Sequence, residues 1–184
     1  MPYQGGKPRG VKVHGRSRQE IRAVSDRIRE TLNLLQPRLD VQRFLEHDLF
    51  DKAGIVFHVA ESDEMGKNEA LTFPDRDEIH IRADVYDALT RGDLRARFTI
   101  VHEFAHWLLH PDLGLGRSSP GSMHQFFEDS EWQADAFAAE FLMPKDLLVK
   151  HCRTAVQAAA MFDVSLDTAI VRVNILRAEG LMRR

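Results

Sequence analysis

One stretch of the sequence places two histidines and a glutamate at a spacing that suits metal chemistry, namely His102-Glu103-Phe104-Ala105-His106. Histidines four residues apart lie on the same face of an α-helix, one turn above the other, so both rings can reach one ion. Glu103 follows the first histidine directly, where its carboxylate can take a proton from an activated water. The pattern therefore predicts a hydrolytic metal site built on a helix.

A second block of the sequence offers a third metal ligand. Catalytic zinc usually has three protein ligands and a water, whereas structural zinc is closed by four protein ligands. Further along the chain, Glu131-Trp-Gln-Ala-Asp135 places two carboxylates on one helical face. Glu131 can be the third ligand. Asp135 can accept the remaining ring N–H of a ligating histidine and so fix its tautomer, a common role for a carboxylate behind a metal site.

The residues around both blocks match a known family. The first block is preceded by Phe98-Thr99, and the second continues as Glu131-x-x-Ala134-x-x-Phe137-Ala138-Ala139-Glu140-x-Leu142-Met143-Pro144. In this order the blocks resemble the ImmA/IrrE family of metallo-endopeptidases, over roughly residues 18–180 and most specifically over residues 98–144. The resemblance implies that His102, His106 and Glu131 hold zinc. It also implies that the glutamate of the first block, Glu103, is the general base.

The resemblance further implies a substrate and a biological role. Members of this family typically cleave a helix-turn-helix transcriptional repressor and thereby switch on phage, mobile-element or stress genes. The implied partner is therefore a protein substrate, expected to be a separately encoded repressor. A different class of function is a metal-containing toxin–antitoxin or regulatory binding protein that sequesters its partner without cleaving it. The expected ion is Zn²⁺, although nitrogen and oxygen ligands also suit Mn²⁺ or Fe²⁺.

The bulk properties narrow the class of protein. The 184 residues suit one domain with a small appendage, and 43% hydrophobic with 29% charged residues is typical of a globular protein. A net charge of −3 gives no reason to expect nucleic-acid binding, and no apolar run is long enough to span a membrane. The single cysteine, Cys152, excludes an internal disulfide, and no secretory signal is visible. These features predict a cytoplasmic protein.

Apolar periodicity and breaker residues predict the elements that position the site. Helices are expected at about residues 17–35, 40–52, 84–90, 93–110 and 126–142, with N-caps at Ser17 and Asp93. Strands are expected at Ile55–Val59, Ala70–Phe73 and Glu78–Arg82, the last two as a hairpin. The predicted fold class is α+β: a mainly helical zinc-peptidase-like domain with a small antiparallel sheet and a C-terminal helical subdomain.

The chain is predicted to divide into three segments. Residues 1–16 are rich in Gly, Pro and basic residues and are expected to form a flexible basic tail. Residues 17–150 are expected to form the zinc metallopeptidase domain, and residues 151–184 a helix-turn-helix-like helical subdomain packed on it. The last helix is mostly Ala, Ile, Val and Leu, which favours packing over DNA reading. A DNA reader would instead use Arg172 and Arg177 for phosphate contacts.

Several other residues can contribute to a substrate cleft. Glu78–Arg82 is the candidate edge strand that receives an extended substrate. His124 or Tyr86 can stabilise the oxyanion of a tetrahedral intermediate. The breaker-rich residues 111–125 are expected to rim the cleft. His110 lies at the end of the predicted metal-binding helix and is expected to interact with the last helix carbonyls rather than with the metal.

Overall fold

The computed structural model describes residues 9–112 and 124–183. Its helices are α1 (Arg18–Thr31), α2 (Val41–Arg43), α3 (Leu49–Ala53), α4 (Ser62–Met65), α5 (Ala83–Thr90), α6 (Leu94–Leu109), α7 (Ser130–Leu142), α8 (Lys145–His151), α9 (Ala155–Phe162) and α10 (Leu166–Ala178). A π-helical turn joins α2 to α3 at Phe44–Asp48, and 3-10 turns occupy Pro74–Arg76 and Phe126–Glu128. The strands are β1 (Val56–Ala60), β2 (Ala70–Phe73) and β3 (Glu78–Arg82). The mainly helical α+β class is confirmed, and none of the described helices is long and apolar enough to cross a bilayer.

The sheet is mixed rather than antiparallel, which corrects the predicted topology. Its strand order is β1-β3-β2; β2 pairs antiparallel with β3, as the hairpin predicts, whereas β1 pairs parallel with β3. Parallel strands need an intervening connection, and here α4 and β2 supply it. The alternation of apolar residues predicts which face of a strand is buried but not this order. Consequently Glu78–Arg82 is the central strand and not the predicted edge, while β2 is an edge strand.

Helices α6 and α7 carry the two sequence blocks, and each begins at an aspartate cap. The predicted cap at Asp93 is confirmed: its carboxylate accepts a hydrogen bond from the backbone N–H of Ala96 at 2.8 Å. The Asp129 carboxylate caps α7 in the same way through Trp132, at 2.9 Å. The second cap fixes the start of α7 and so places Glu131 in its first turn.

Aromatic rings fill the space between these two helices. The Phe104 ring of α6 lies 5.9 Å from the rings of Phe137 and Phe141 of α7. It also lies 5.2 Å from the ring of Phe44. All four side chains are at most 2% exposed, so burial of each contributes about 1.5–3 kcal/mol. This packing fixes the separation of α6 and α7, and hence that of the side chains they carry.

A buried carboxylate joins the C-terminal helices to the rest of the chain. Glu140 of α7 is 1% exposed and accepts hydrogen bonds from Arg22 of α1 and Arg172 of α10. Arg172 is fully buried and also donates to the Met143 carbonyl. It therefore cannot contact a DNA phosphate, which removes one of the two basic residues that a DNA reader would use. The boundary at residue 150 stays a prediction.

Residues 9–16, within the predicted basic tail, pack against the start of α7; residues 1–8 lie outside the described residues. The Asp129 carboxylate accepts hydrogen bonds from two backbone N–H groups of this segment, both at 3.0 Å. A Cβ atom at Gly10 would lie 2.8 Å from both Cγ and N of Glu131, so a side chain here would displace its neighbours. One buried carboxylate and one glycine thus order a segment whose composition suggests flexibility.

Candidate metal centre

The two histidines of the first block and the glutamate of the second converge between α6 and α7. Nε2 of His102 lies 3.0 Å from Nε2 of His106. Oε2 of Glu131 lies 3.3 Å from Nε2 of His102, and Oε1 of Glu131 lies 3.2 Å from Nε2 of His106. Donor atoms around a tetrahedral zinc ion, with bonds of about 2.0–2.2 Å, are about 3.3 Å apart. The three residues therefore fit a zinc ion in both spacing and donor type.

The surroundings of these donors also favour a cation. The side chains of His102 and His106 are 15% and 17% exposed, and that of Glu131 is 35% exposed. Two imidazole nitrogens 3.0 Å apart direct their lone pairs at each other unless a proton or a cation lies between them. A divalent ion at this point would satisfy both nitrogens and the carboxylate together.

Protons and a metal ion compete for the same donor atoms. Hydrogen bonds from His102 and His106 hold the pKa of Glu131 well below its usual range. Burial on its own would lower the pKa of His102, but hydrogen bonds to Asp135 and Glu131 outweigh burial and raise this pKa to about 10. The carboxylates thus make the site strongly attractive to positive charge.

Asp135 orients the first histidine, as the spacing of the second block predicts. Its Oδ1 lies 3.0 Å from Nδ1 of His102, and its Oδ2 accepts a hydrogen bond from the guanidinium of Arg9. Donation from Nδ1–H leaves the Nε2 lone pair of His102 directed at the other two donors. The carboxylate thereby fixes the tautomer that can bind a metal.

A chain of hydrogen bonds through His110 orients the second histidine. Nδ1 of His106 lies 3.1 Å from Nδ1 of His110, whose Nε2 lies 3.2 Å from Oε1 of Gln133. The Gln133 amide nitrogen donates to the carbonyls of His14 and Phe127, both at 2.8 Å, so its oxygen is the atom that faces His110. His110 then donates from Nε2 and accepts at Nδ1, which leaves the Nε2 lone pair of His106 for a metal.

Sequence reasoning missed this second chain. His110 does end α6, but its ring contacts His106 and Gln133 instead of the last helix carbonyls. Burial, with the nearby His106, lowers the pKa of His110 to about 4, which keeps the ring neutral with one N–H and one lone pair. The available signal was Gln133 itself, which falls on the apolar stripe beside Ala134 and Phe137, where a polar side chain needs partners.

Glu103 lies beside these donors in an open cleft of about 290 Å³. The Thr72 hydroxyl lies 2.7 Å from Oε2 of Glu103 and 2.9 Å from the Glu103 backbone carbonyl oxygen, and the carboxylate is the shorter and charged acceptor for its one hydrogen. Thr72 belongs to the edge strand β2, and Ala70 and Leu71 of the same strand also line the cleft. A carboxylate next to a candidate metal site, with one oxygen held and the other without a hydrogen bond to the residues that the structure describes, is suited to proton transfer.

The family of the chain follows from a match over most of its length. Residues 54–174 match the IrrE N-terminal-like domain, a family of M78 peptidases. The chain belongs to this family. The membership confirms the resemblance to the ImmA/IrrE metallopeptidases, and the match includes both sequence blocks, the sheet and the cleft. A search of curated proteins found no significant match.

Part of the support for this peptidase-family site comes from outside the matched residues. Arg9 contacts Asp135, and Arg16 donates from its guanidinium to Oε1 of Gln133 at 3.1 Å. These two arginines therefore reach the residues that orient both histidines. The N-terminal segment, which precedes the family match, thus contacts the residues that orient the candidate ligands.

Two residues predicted to stabilise a transition state do not line the described cleft. His124 has its Nε2 3.0 Å from Oδ2 of Asp129, and its side chain is 1% exposed. The Tyr86 hydroxyl donates to the Glu46 carboxylate at 2.7 Å. The contacts described for both side chains are with carboxylates that do not line the cleft. Of the segment predicted to rim the cleft, residues 113–123 lie outside the described residues.

Proposed function

We propose that the protein is a zinc-dependent endopeptidase. The observation that carries the proposal is the convergence of two histidines and Glu131 on one point beside Glu103. Three nitrogen and oxygen ligands leave one tetrahedral position open, as catalytic zinc sites do. Zn²⁺ is the proposed ion, and the same donors suit Mn²⁺ or Fe²⁺.

The chemistry divides between the ion and Glu103. Bound zinc would polarise the scissile carbonyl and make water acidic enough to lose a proton near neutral pH. Glu103 accepts this proton at Oε1 and later passes it to the leaving amine. The Thr72 hydroxyl holds Oε2, which leaves Oε1 for the transfer. Asp135 and His110 keep the ligating histidines in the tautomers that the reaction needs.

The geometry of β2 supports an extended peptide as the substrate. This strand hydrogen-bonds to β3 on one side, and its residues Ala70, Leu71 and Thr72 line the cleft. A peptide segment can therefore add to the edge of β2 through main-chain hydrogen bonds. Such pairing places a peptide bond beside Glu103. It favours cleavage in an extended loop or linker over cleavage within a helix, whose main-chain groups are already paired.

Membership of the ImmA/IrrE family supports a more specific substrate. We propose that this substrate is a separately encoded helix-turn-helix repressor in the cytoplasm. Its cleavage would derepress phage, mobile-element or stress genes. An exposed linker between the repressor's DNA-binding and oligomerising parts would suit the edge of β2, because it offers an unpaired extended backbone.

The test is a substrate trap in the native host. Glu103→Gln is expected to keep the ion and the cleft while it blocks proton transfer, so it should retain an uncut substrate. Proteins captured on this variant and on the wild type are identified by mass spectrometry. Glu64→Gln, an exposed glutamate of α4, is the matched control and should behave as wild type.

The outcomes separate the proposed enzyme from the alternative binding protein. A helix-turn-helix repressor that is intact on Glu103→Gln and cut by wild type supports the proposal. A partner that both forms bind without cleavage supports sequestration instead. A cleaved protein of another class would support the endopeptidase activity but exclude a repressor as the substrate.

A further inference from the structure

A second group of two histidines and a carboxylate lies on the sheet, apart from the proposed catalytic site. His58 of β1 and His80 of β3 are register partners in the parallel pair. Glu78 lies two residues before His80, so both side chains project from the same face of β3. The candidate ligand atoms of these residues all lie within 4.8 Å of one another. Among the residues that the structure describes, this is the second group with metal-ligand spacing.

Both histidines of this group direct Nε2 at one carboxylate. Nε2 of His80 lies 3.0 Å from Oε2 of Glu78, and Nε2 of His58 lies 3.9 Å from Oε1. These separations fall on either side of the roughly 3.3 Å expected between tetrahedral zinc ligands. The His58 side chain is 49% exposed, so a small rotation of this ring can close the difference.

The sheet restrains the group before any ion binds. Its ligands stand on adjacent strands whose backbones are joined by hydrogen bonds, and β3 is paired on both sides. The His80 ring packs 4.5 Å from the ring of Phe73, and the Arg76 guanidinium lies 5.4 Å from the centre of the same Phe73 ring. Restraint of a ligand in advance lowers the entropy cost of binding. His80 and Glu78 are 28% and 27% exposed, so water can reach the group and complete a coordination shell.

We propose that His58, Glu78 and His80 bind a second divalent transition-metal ion of the Zn²⁺ class. Two imidazoles and one carboxylate suit Zn²⁺, Ni²⁺ or Cu²⁺, whereas Mg²⁺ and Ca²⁺ prefer sites made of oxygen ligands. The ion links β1 to β3 across the outer face of the sheet. The site has its own ligands and does not depend on the proposed peptidase chemistry.

The test is the zinc stoichiometry of untagged protein. After equilibrium dialysis against micromolar free zinc, elemental analysis should find two equivalents in the wild type. His58→Gln and His80→Gln should each lose one equivalent. His106→Ala should lose the other one, since it removes a ligand of the proposed catalytic site. His151→Gln changes an exposed histidine outside both groups and should keep two.

Cobalt gives a second readout on the same variants. In the Co²⁺-substituted protein, His80→Gln should remove one set of visible absorption bands, and circular dichroism should show that the fold is unchanged. A single equivalent of zinc in the wild type that both His58→Gln and His80→Gln leave in place would overturn the proposal. A second equivalent that survives both His58→Gln and His80→Gln would overturn it as well. In either of these cases, zinc that His106→Ala removes would still support the proposed catalytic site.

Discussion

The two groups of His, His and Glu have the same donor types but different surroundings. In the group between α6 and α7, the second ring nitrogen of each histidine meets Asp135 or His110. In the group on the sheet, the described contacts of the histidines are with Glu78 and neighbouring rings. The helical group also lies in a cleft beside Glu103. The donor types of a group allow an ion to bind. Hydrolysis also needs buried hydrogen-bond partners that orient the ligating histidines and a base beside the ion.

Loss of a ligand from the helical group should have the largest effect. His106→Ala is expected to abolish hydrolysis of an unstructured peptide and to remove the zinc that supports it, because two ligands remain where catalytic zinc uses three. Zinc content and peptide cleavage are measured on the same samples. Zinc-dependent cleavage at the wild-type rate in this variant would show that the ion is held elsewhere.

Loss of the buried partner behind His106 should have the next largest effect. His110→Phe keeps a ring of similar size but removes the acceptor for Nδ1–H of His106, and it should weaken zinc binding by about 10–100-fold. Competition with a chromogenic chelator measures the affinity. His47→Phe, at an exposed position, is the control. Equal affinity in both variants would mean that the chain through Gln133 does not orient the ligand.

Removal of the hydroxyl that holds Glu103 should affect the reaction but not the ion. Thr72→Val keeps the side-chain shape and removes a hydrogen bond to a carboxylate, so kcat should fall by about tenfold or more. Zinc content should stay at the wild-type level. Thr90→Val, at the exposed end of α5, serves as the control. A fall in zinc content with unchanged kcat per bound zinc would contradict the assigned role.

The smallest effect on hydrolysis is expected from the group on the sheet. With one equivalent of zinc supplied, His80→Gln should leave kcat/KM close to the wild-type value, because His80 does not line the cleft that holds Glu103. The assay uses the same unstructured peptide as for His106→Ala. A large loss of hydrolysis would show that the two groups are coupled and that hydrolysis depends on the group on the sheet as well.

Local signals in the sequence predicted most of what brings the proposed ligands together. The Asp93 cap and the apolar residues after it predicted α6, and four-residue spacing put both histidines on one face. The hairpin of β2 and β3 followed from alternation and the turn residues between them. Glu131 and Asp135 share a helical face by the same spacing, and the structure places both against the histidines.

The remaining features depend on contacts that local patterns do not encode. Thr72 reaches Glu103 across a separation of 31 residues. The parallel pairing of β1 with β3 depends on the route of the chain through α4 and β2, which alternation does not specify. Residues 9–16 are ordered by the Asp129 carboxylate, more than a hundred positions away in the sequence. The composition of that segment indicates only that it is rich in basic residues and glycine.

The central claim is that Glu103 transfers the proton in a zinc-dependent hydrolysis, and one measurement tests it most directly. Zinc content and peptide cleavage are determined together for wild type, Glu103→Gln and the control Glu64→Gln. The account predicts that Glu103→Gln keeps the zinc content of the wild type while kcat falls by about 10²–10⁴-fold or more, with Glu64→Gln unchanged. Wild-type turnover by zinc-loaded Glu103→Gln would contradict the account.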